Sequence, residues 1–240
     1  MNGAALSFAG RATLDGALLF GKIAFELRSG QWTCLLGPSG VGKSTVLRLI
    51  AGLETPVKFD GKIYASGYDR AAGRVAYMAQ SDLLFPWASV TENVLIGARL
   101  RGETPDADRA AEMIRRVGLA DHAGKRPDAL SGGQRQRAAL ARTLMEDREI
   151  ILLDEPFSAL DARTRTEMQD LAAELLADRA VLLITHDPGE AARLGARIHV
   201  MARDGFADFD APSAPAPRAV DDPEALRLQG ALHAHLLAAA

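Results

Sequence analysis

Gly37-Pro38-Ser39-Gly40-Val41-Gly42-Lys43-Ser44-Thr45 is the segment that most narrows the folds open to this chain. It fits the spacing G-x-x-x-x-G-K-[ST], and its surroundings matter as much as the spacing. Before it, Thr33-Cys34-Leu35-Leu36 is a short apolar run halted by Gly37, the pattern of a buried strand. After it, STVLRLIAG reads as a helix ended by Gly52. Glycines let backbone N–H groups converge on phosphate oxygens without Cβ interference, and the helix N-terminus adds partial positive charge. Lys43 can reach the β- and γ-phosphates, and the Ser44 hydroxyl can ligate Mg²⁺. A glycine-rich turn that merely happens to contain Lys-Ser leaves the flanking strand and helix unexplained. The expected ligand is a nucleoside triphosphate, held by Gly37 through Thr45.

Ile150 to Leu153 and Val181 to Ile184 are further continuous apolar runs, each ending at a polar residue. Runs without alternation suit parallel strands covered on both faces, and their alternation with helical patterns indicates α/β architecture. Residues 88–135 differ in character. Ser89-Val90-Thr91-Glu92 has capping-box spacing and opens the helical run NVLIGARLRG. Thr104-Pro105 is expected to open a second helix reaching Leu119, with the proline in its first turn. No strand candidate lies here. The fold class is therefore α/β, a P-loop NTPase core with a parallel or mixed sheet and an inserted helical subdomain over about 88–135.

Ile150-Ile151-Leu152-Leu153-Asp154-Glu155 is a buried strand ending in adjacent carboxylates. Strand ends lie on the phosphate side of such folds, so Asp154 can approach Mg²⁺. Glu155 points elsewhere and can orient and deprotonate an attacking water. An ordinary acidic turn is the alternative, and the pairing with the phosphate loop favours the chemical one.

Composition removes other classes. The 240 residues carry a formal net charge of −3, without the basic excess of a DNA-coating protein, so no nucleic-acid partner is expected. Cys34 alone excludes a disulfide framework or thiolate-rich metal site and fits a reducing cytoplasm. No apolar run approaches the ~18 residues of a membrane span. The opening MNGAALSFAGRATL has no basic stretch followed by an apolar core, so no signal peptide is expected.

Leu130-Ser131-Gly132-Gly133-Gln134-Arg135-Gln136 joins an N-cap serine to two glycines at the start of the helix RQRAALARTLM, a second ready-made anion site. With the phosphate loop and the acidic strand, it resembles the nucleotide-binding subunit of an ATP-binding-cassette (ABC) transporter over approximately residues 20–205. The resemblance implies a homodimer in which Ser131, Gly132, Gly133 and Gln134 of one subunit close on ATP held by the other. Gln80, in Tyr77-Met78-Ala79-Gln80, resembles the Q-loop glutamine, which contacts Mg²⁺ and water. Ser158-Ala159-Leu160-Asp161 resembles the D-loop at the dimer interface, with Asp161 near ATP. His186, after VLLIT, resembles the switch histidine that contacts the γ-phosphate. The family stacks adenine on an aromatic residue before the loop; Thr13 to Leu18 offers none, leaving Phe8 or Phe20.

The resemblance makes residues 1–210 an ABC ATPase domain, 211–222 a Pro/Ala linker and 223–240 a helical tail. The linker reads as a tether, the tail as packing or partner contact. His233 and His235, two apart, face different sides of the tail helix and are poor joint metal ligands. Gln80 to Trp87 followed by Val90-Thr91-Glu92-Asn93-Val94 is similar to the nitrate, sulfonate and taurine importers and their thiamine-precursor (hydroxymethylpyrimidine) relatives. That implies an ATPase at the cytoplasmic face of the inner membrane, docked on an integral membrane permease near Leu83 to Trp87 and serving a periplasmic solute-binding protein indirectly. A soluble cassette ATPase acting on a non-membrane assembly is the alternative.

Overall fold

The computed structural model describes residues 4–65, 73–203 and 205–238. The outermost residues of the expected domain and tail, 1–3 and 239–240, lie outside the described residues. The chain divides into two compact units, one of residues 1–77, 148–154 and 177–240, the other of 78–147 and 155–176.

The first unit contains the sheets. β1 (Ala4–Leu14) and β2 (Ala17–Arg28) form an antiparallel hairpin closed by Asp15-Gly16. Both turn residues have positive φ, 50° and 81°. That is the demand of a type I′ turn, met by the Asp-Gly pair. β4 (Lys58–Ala65) pairs with β1 from its other side, giving the order β2-β1-β4. The larger sheet takes β3 (Gln31–Leu36), β5 (Val75–Met78), β6 (Ile150–Asp154), β7 (Ala180–Ile184), β8 (Arg197–Met201) and β9 (Phe206–Phe209) in the order β5-β6-β7-β3-β8-β9. β6, β7, β3 and β8 run parallel, and β9 turns back antiparallel. Every residue of β6 and β7 is buried, as unbroken apolar runs require. α1 (Lys43–Ile50) packs through Val46, Leu47 and Ile50 into a core shared with Leu6, Phe8, Phe20, Ile23, Leu35, Leu152 and Leu182. Each such fully buried side chain contributes about 1.5–3 kcal/mol.

The β8–β9 hairpin contains a buried imidazole. His199 stacks on Phe206 at 5.0 Å between centroids, and its Nδ1 lies 2.6 Å from Asp208 Oδ1. Its Nε2 is buried without a partner. Burial pushes its pKa below the ordinary 6.5, a pull that Asp208 only partly opposes. The unfolded chain therefore takes up this proton first, and stability falls as pH drops below about 6.5 toward the depressed folded pKa. Thermal melts at pH 7.5 and 5.5 should show a smaller acid-induced loss in His199→Gln than in the parent. An equal loss in both would exclude His199 as a source.

Two expectations about this unit change. Residues 211–222 are no tether: Arg218 is only 4% exposed, its guanidinium spent on backbone carbonyls around α7 (Pro188–Leu194). A buried guanidinium must find acceptors for its donors, and these fix the segment. α8 (Pro223–Ala238) packs against α7 and buries Ala225 and Leu232. Phe8 and Phe20, the candidate adenine platforms, are 1% and 0% exposed and belong to the core. Phe8 packs between the rings of Phe25 and Phe59, with centroids 5.2 and 5.3 Å away.

The second unit is helical: α2 (Val90–Val94), α3 (Ile96–Leu100), α4 (Ala107–Arg116), α5 (Gly132–Met145) and α6 (Ala162–Leu175). The capping box at Ser89 and Glu92 forms as its spacing requires. The run expected as one helix is interrupted at Leu95, which closes α2 and precedes α3. Pro105 sits outside α4 rather than in its first turn. Asp106 takes the N-cap, its carboxylate accepting from Arg109 N at 2.9 Å and setting the start beyond the proline.

The loop before α2 is stitched by two side chains. Asn93, wholly buried, accepts from Phe85 N (2.7 Å) and donates to the carbonyls of Phe85, Ala88 and Ser89 (3.2, 3.1 and 3.0 Å). Arg142 donates to the carbonyls of Leu83 and Asp82, both at 2.7 Å. Leu83 and Trp87 stand 63% and 67% exposed on this loop, with Phe85 and Trp87 rings 5.1 Å apart.

Candidate nucleotide site

In the first unit, the turn from β3 into α1 has a backbone only glycine supplies. Gly37 has φ 153° and Gly42 φ 102°. A Cβ on Gly37 would strike the Met201 carbonyl, and one on Gly42 would come within 2.8 Å of the Phe20 ring. Lys43 is 7% exposed, and its Nζ donates to the carbonyls of Gly37 (2.7 Å) and Pro38 (2.9 Å). The ammonium is thus held within its own loop. Val41 packs into the core and leaves only its backbone for a ligand, while Ser39 and Gly40 are exposed.

Asp154 ends β6 at 2% exposure. Tyr77 lies beside it, and burial together with the Asp154 carboxylate, to which the phenol donates, pushes the Tyr77 pKa up to about 12. Asp154 and Ser44 are hard oxygen donors. Among the described residues no cluster of three or more His, Cys, Asp or Glu side chains could hold a metal ion. Such a sparse donor set suits Mg²⁺, which keeps waters and shares its shell with phosphate oxygens. His186 follows β7 and is exposed.

The second unit supplies the other candidates. Glu155 has φ 50°, a conformation that costs a non-glycine residue about 1–3 kcal/mol. Its carboxylate accepts from Gln80 Nε2 at 3.2 Å. Its carbonyl accepts from Gln136 Nε2 at 2.9 Å and Ser158 Oγ at 3.1 Å. Gln136 Oε1 also accepts from Ala159 N at 2.8 Å, so one buried amide holds the strained turn from both ends. Ser131 caps α5 reciprocally: Oγ accepts from Gln134 N (3.3 Å) and Gln134 Oε1 from Ser131 N (2.8 Å). Asp161 caps α6 by accepting from Thr164 N at 3.0 Å, which holds its carboxyl below the usual range.

The sequence profile described as ABC transporter matches residues 20–158, more than half of the chain. The chain belongs to the ABC transporter family. The aliphatic sulfonates import ATP-binding protein SsuB 1 of Nocardia farcinica is 44% identical over 96% of this chain and 88% of that protein. The Fe(3+) ions import ATP-binding protein FbpC 1 of Rhodococcus jostii is 44% identical over 83% of this chain and 60% of its own length. A dimeric ATP-binding cassette in a post-hydrolysis state with ADP and Pi superposes with a TM-score of 0.77 at 26% identity, covering 87% of this chain and 100% of that one.

This ABC ATPase has the fold that the motifs imply, and no helix among its described residues is long and apolar enough to cross a membrane. Within the second unit the structure brings Gln80 to Glu155; within the first it brings Tyr77 to Asp154. Sequence reasoning missed Gln136 and Tyr77. The signal for Gln136 was its position in the opening turns of a helix begun by a glycine pair. Tyr77 had only its place in a strand three residues before Gln80.

Proposed function

We propose that this ABC ATPase is the ATP-binding subunit of a bacterial importer for aliphatic sulfonates or similar small organic anions such as taurine. It works as a head-to-tail dimer against an integral membrane permease, on the cytoplasmic face of the membrane. The observation that carries the importer reading is the likeness over 96% of the chain to a sulfonate import subunit. The exposed Leu83 and Trp87 supply a fitting apolar contact for a permease helix.

In this reading Lys43 and the N–H groups of Gly37 through Thr45 bind the β- and γ-phosphates of ATP. Ser44, Asp154 and the amide oxygen of Gln80 would hold Mg²⁺, which when bound would neutralise charge on the phosphate oxygens. Glu155 takes the proton from the attacking water, oriented by the amide of Gln80. His186 donates to the γ-phosphate, and Ser131 through Gln134 with Asp161 complete the partner subunit's site. Closure excludes water and sets the donors in place before reaction.

The test is affinity purification of the tagged protein from gently solubilised native membranes. A multispanning permease should co-purify, and in proteoliposomes with its solute-binding protein taurine should stimulate ATP turnover. Stimulation by hydroxymethylpyrimidine instead would move the solute to the thiamine-precursor branch. Recovery only in the soluble fraction, on ribosomes or DNA, would overturn the transporter reading.

A further inference from the structure

We infer that Arg218 is a positioning residue for ATP hydrolysis: its guanidinium locks the C-terminal end of α7 and thereby fixes the loop that presents His186. The inference rests on the reading of His186 given above. The contacts involved all lie within the first unit.

At the far end of α7, the last carbonyls of the helix have no partner within it. Arg218 supplies one. Its Nη1 donates to Ala192 O and Gly195 O, both at 2.9 Å, and its backbone N–H to Arg193 O at 3.0 Å. Its remaining donors close the segment on itself, Nε to Ala214 O at 2.8 Å and Nη2 to Pro212 O at 3.0 Å. A buried cation on the negative end of a helix is a strong anchor, because few other groups replace both the charge and the forked donors.

At the near end, the loop is tied to the same helix. Thr185 Oγ1 donates to the buried Glu190 Oε2 at 2.6 Å and accepts from Asp187 N at 3.0 Å. Asp187 Oδ1 caps the helix by accepting from Gly189 N at 2.7 Å. His186 therefore sits between two residues whose hydrogen bonds end on α7. A helix of 7 residues is about 10 Å long and moves as one body, so a slip at the Arg218 end carries to the imidazole. The packing leaves no slack: a Cβ on Gly195 would lie 2.6 Å from Ile198 Cγ1 and 3.1 Å from Cys34 Sγ. Residues 211–222 thus become part of the hydrolytic machinery.

The experiment measures single-turnover hydrolysis of radiolabelled ATP and equilibrium ATP binding by the full chain, for Arg218→Met, His186→Ala and the double variant. Arg218→Met should lower the hydrolysis rate about tenfold, since misplacement of an ångström or less costs one to two decades, with ATP Kd changed by less than about twofold. In the His186→Ala background the same substitution should cost nothing further, because two changes acting through one group do not add. An unchanged rate in Arg218→Met, an equal loss in both backgrounds, or a parallel loss of ATP binding each overturns the inference while leaving His186 in its role. Full hydrolysis by His186→Ala would instead sink the reading of His186, and the inference with it. If Arg218→Met does not fold, Arg218→Lys is measured in the same way, because its ammonium keeps the charge but cannot reproduce the fork.

Discussion

Glu155→Gln is expected to bind ATP as tightly as the parent and to turn it over about 10²–10⁴-fold more slowly, the range lost with a general base. The substitution is nearly isosteric. The amide oxygen can still accept from Gln80 Nε2, and the strained backbone at φ 50° is held through its carbonyl by Gln136 and Ser158, none of which involves the carboxylate's charge. What disappears is the ability to take a proton from water. With hydrolysis stopped and binding intact, ATP should hold two subunits together. Steady-state phosphate release, calorimetric ATP binding and light scattering with and without ATP would establish this. A fully active Glu155→Gln protein would remove Glu155 as the base.

Lys43→Ala fails earlier in the cycle. Lys43 is nearly buried, with Nζ held by the carbonyls of Gly37 and Pro38 where a phosphate would lie against the loop. Truncation removes the one ammonium of the loop and leaves two carbonyls facing the ligand, a repulsive arrangement for an anion. Losing one partner of a buried charge pair costs about 2–5 kcal/mol, and 3 kcal/mol is roughly a hundredfold in Kd. Calorimetric titration with ATP should therefore show a loss of roughly thirtyfold or more, and thermal stability without nucleotide should fall as well, because the Gly37 and Pro38 carbonyls lose their donor. Unchanged affinity would contradict the cradle.

The contrast between the two variants follows how the site could be read in advance. Spacing alone located the phosphate loop, β6 and the Ser131 cap, because each depends on neighbours within a few residues. The same locality explains the Ser89 capping box. Much of what escaped was set by distant partners. Phe8 and Phe20 looked available for adenine until the fold buried them, one against Phe25 and the other beneath Gly42. The Asp15-Gly16 hairpin had a local signature that went unread, whereas its pairing with β4 some fifty residues later had none. Arg218 illustrates the point most sharply. In sequence it sits among prolines and alanines that suggest a loose tether. Only the carbonyls at the end of α7, more than twenty residues earlier, turn that stretch into docked structure.

Asn93 fixes the surface around Trp87 in a way that bears on assembly. Its four hydrogen bonds stay inside the folded chain, and Arg142 secures the neighbouring carbonyls. The loop has therefore surrendered its conformational freedom during folding, before any partner is met. Docking onto a finished shape carries little ordering entropy, so a modest apolar footprint can suffice for recognition. In the proposed permease contact, affinity at this face becomes a matter of shape matching, and selection among rival partners falls to the few exposed side chains, Leu83 and Trp87 foremost, that project from the loop.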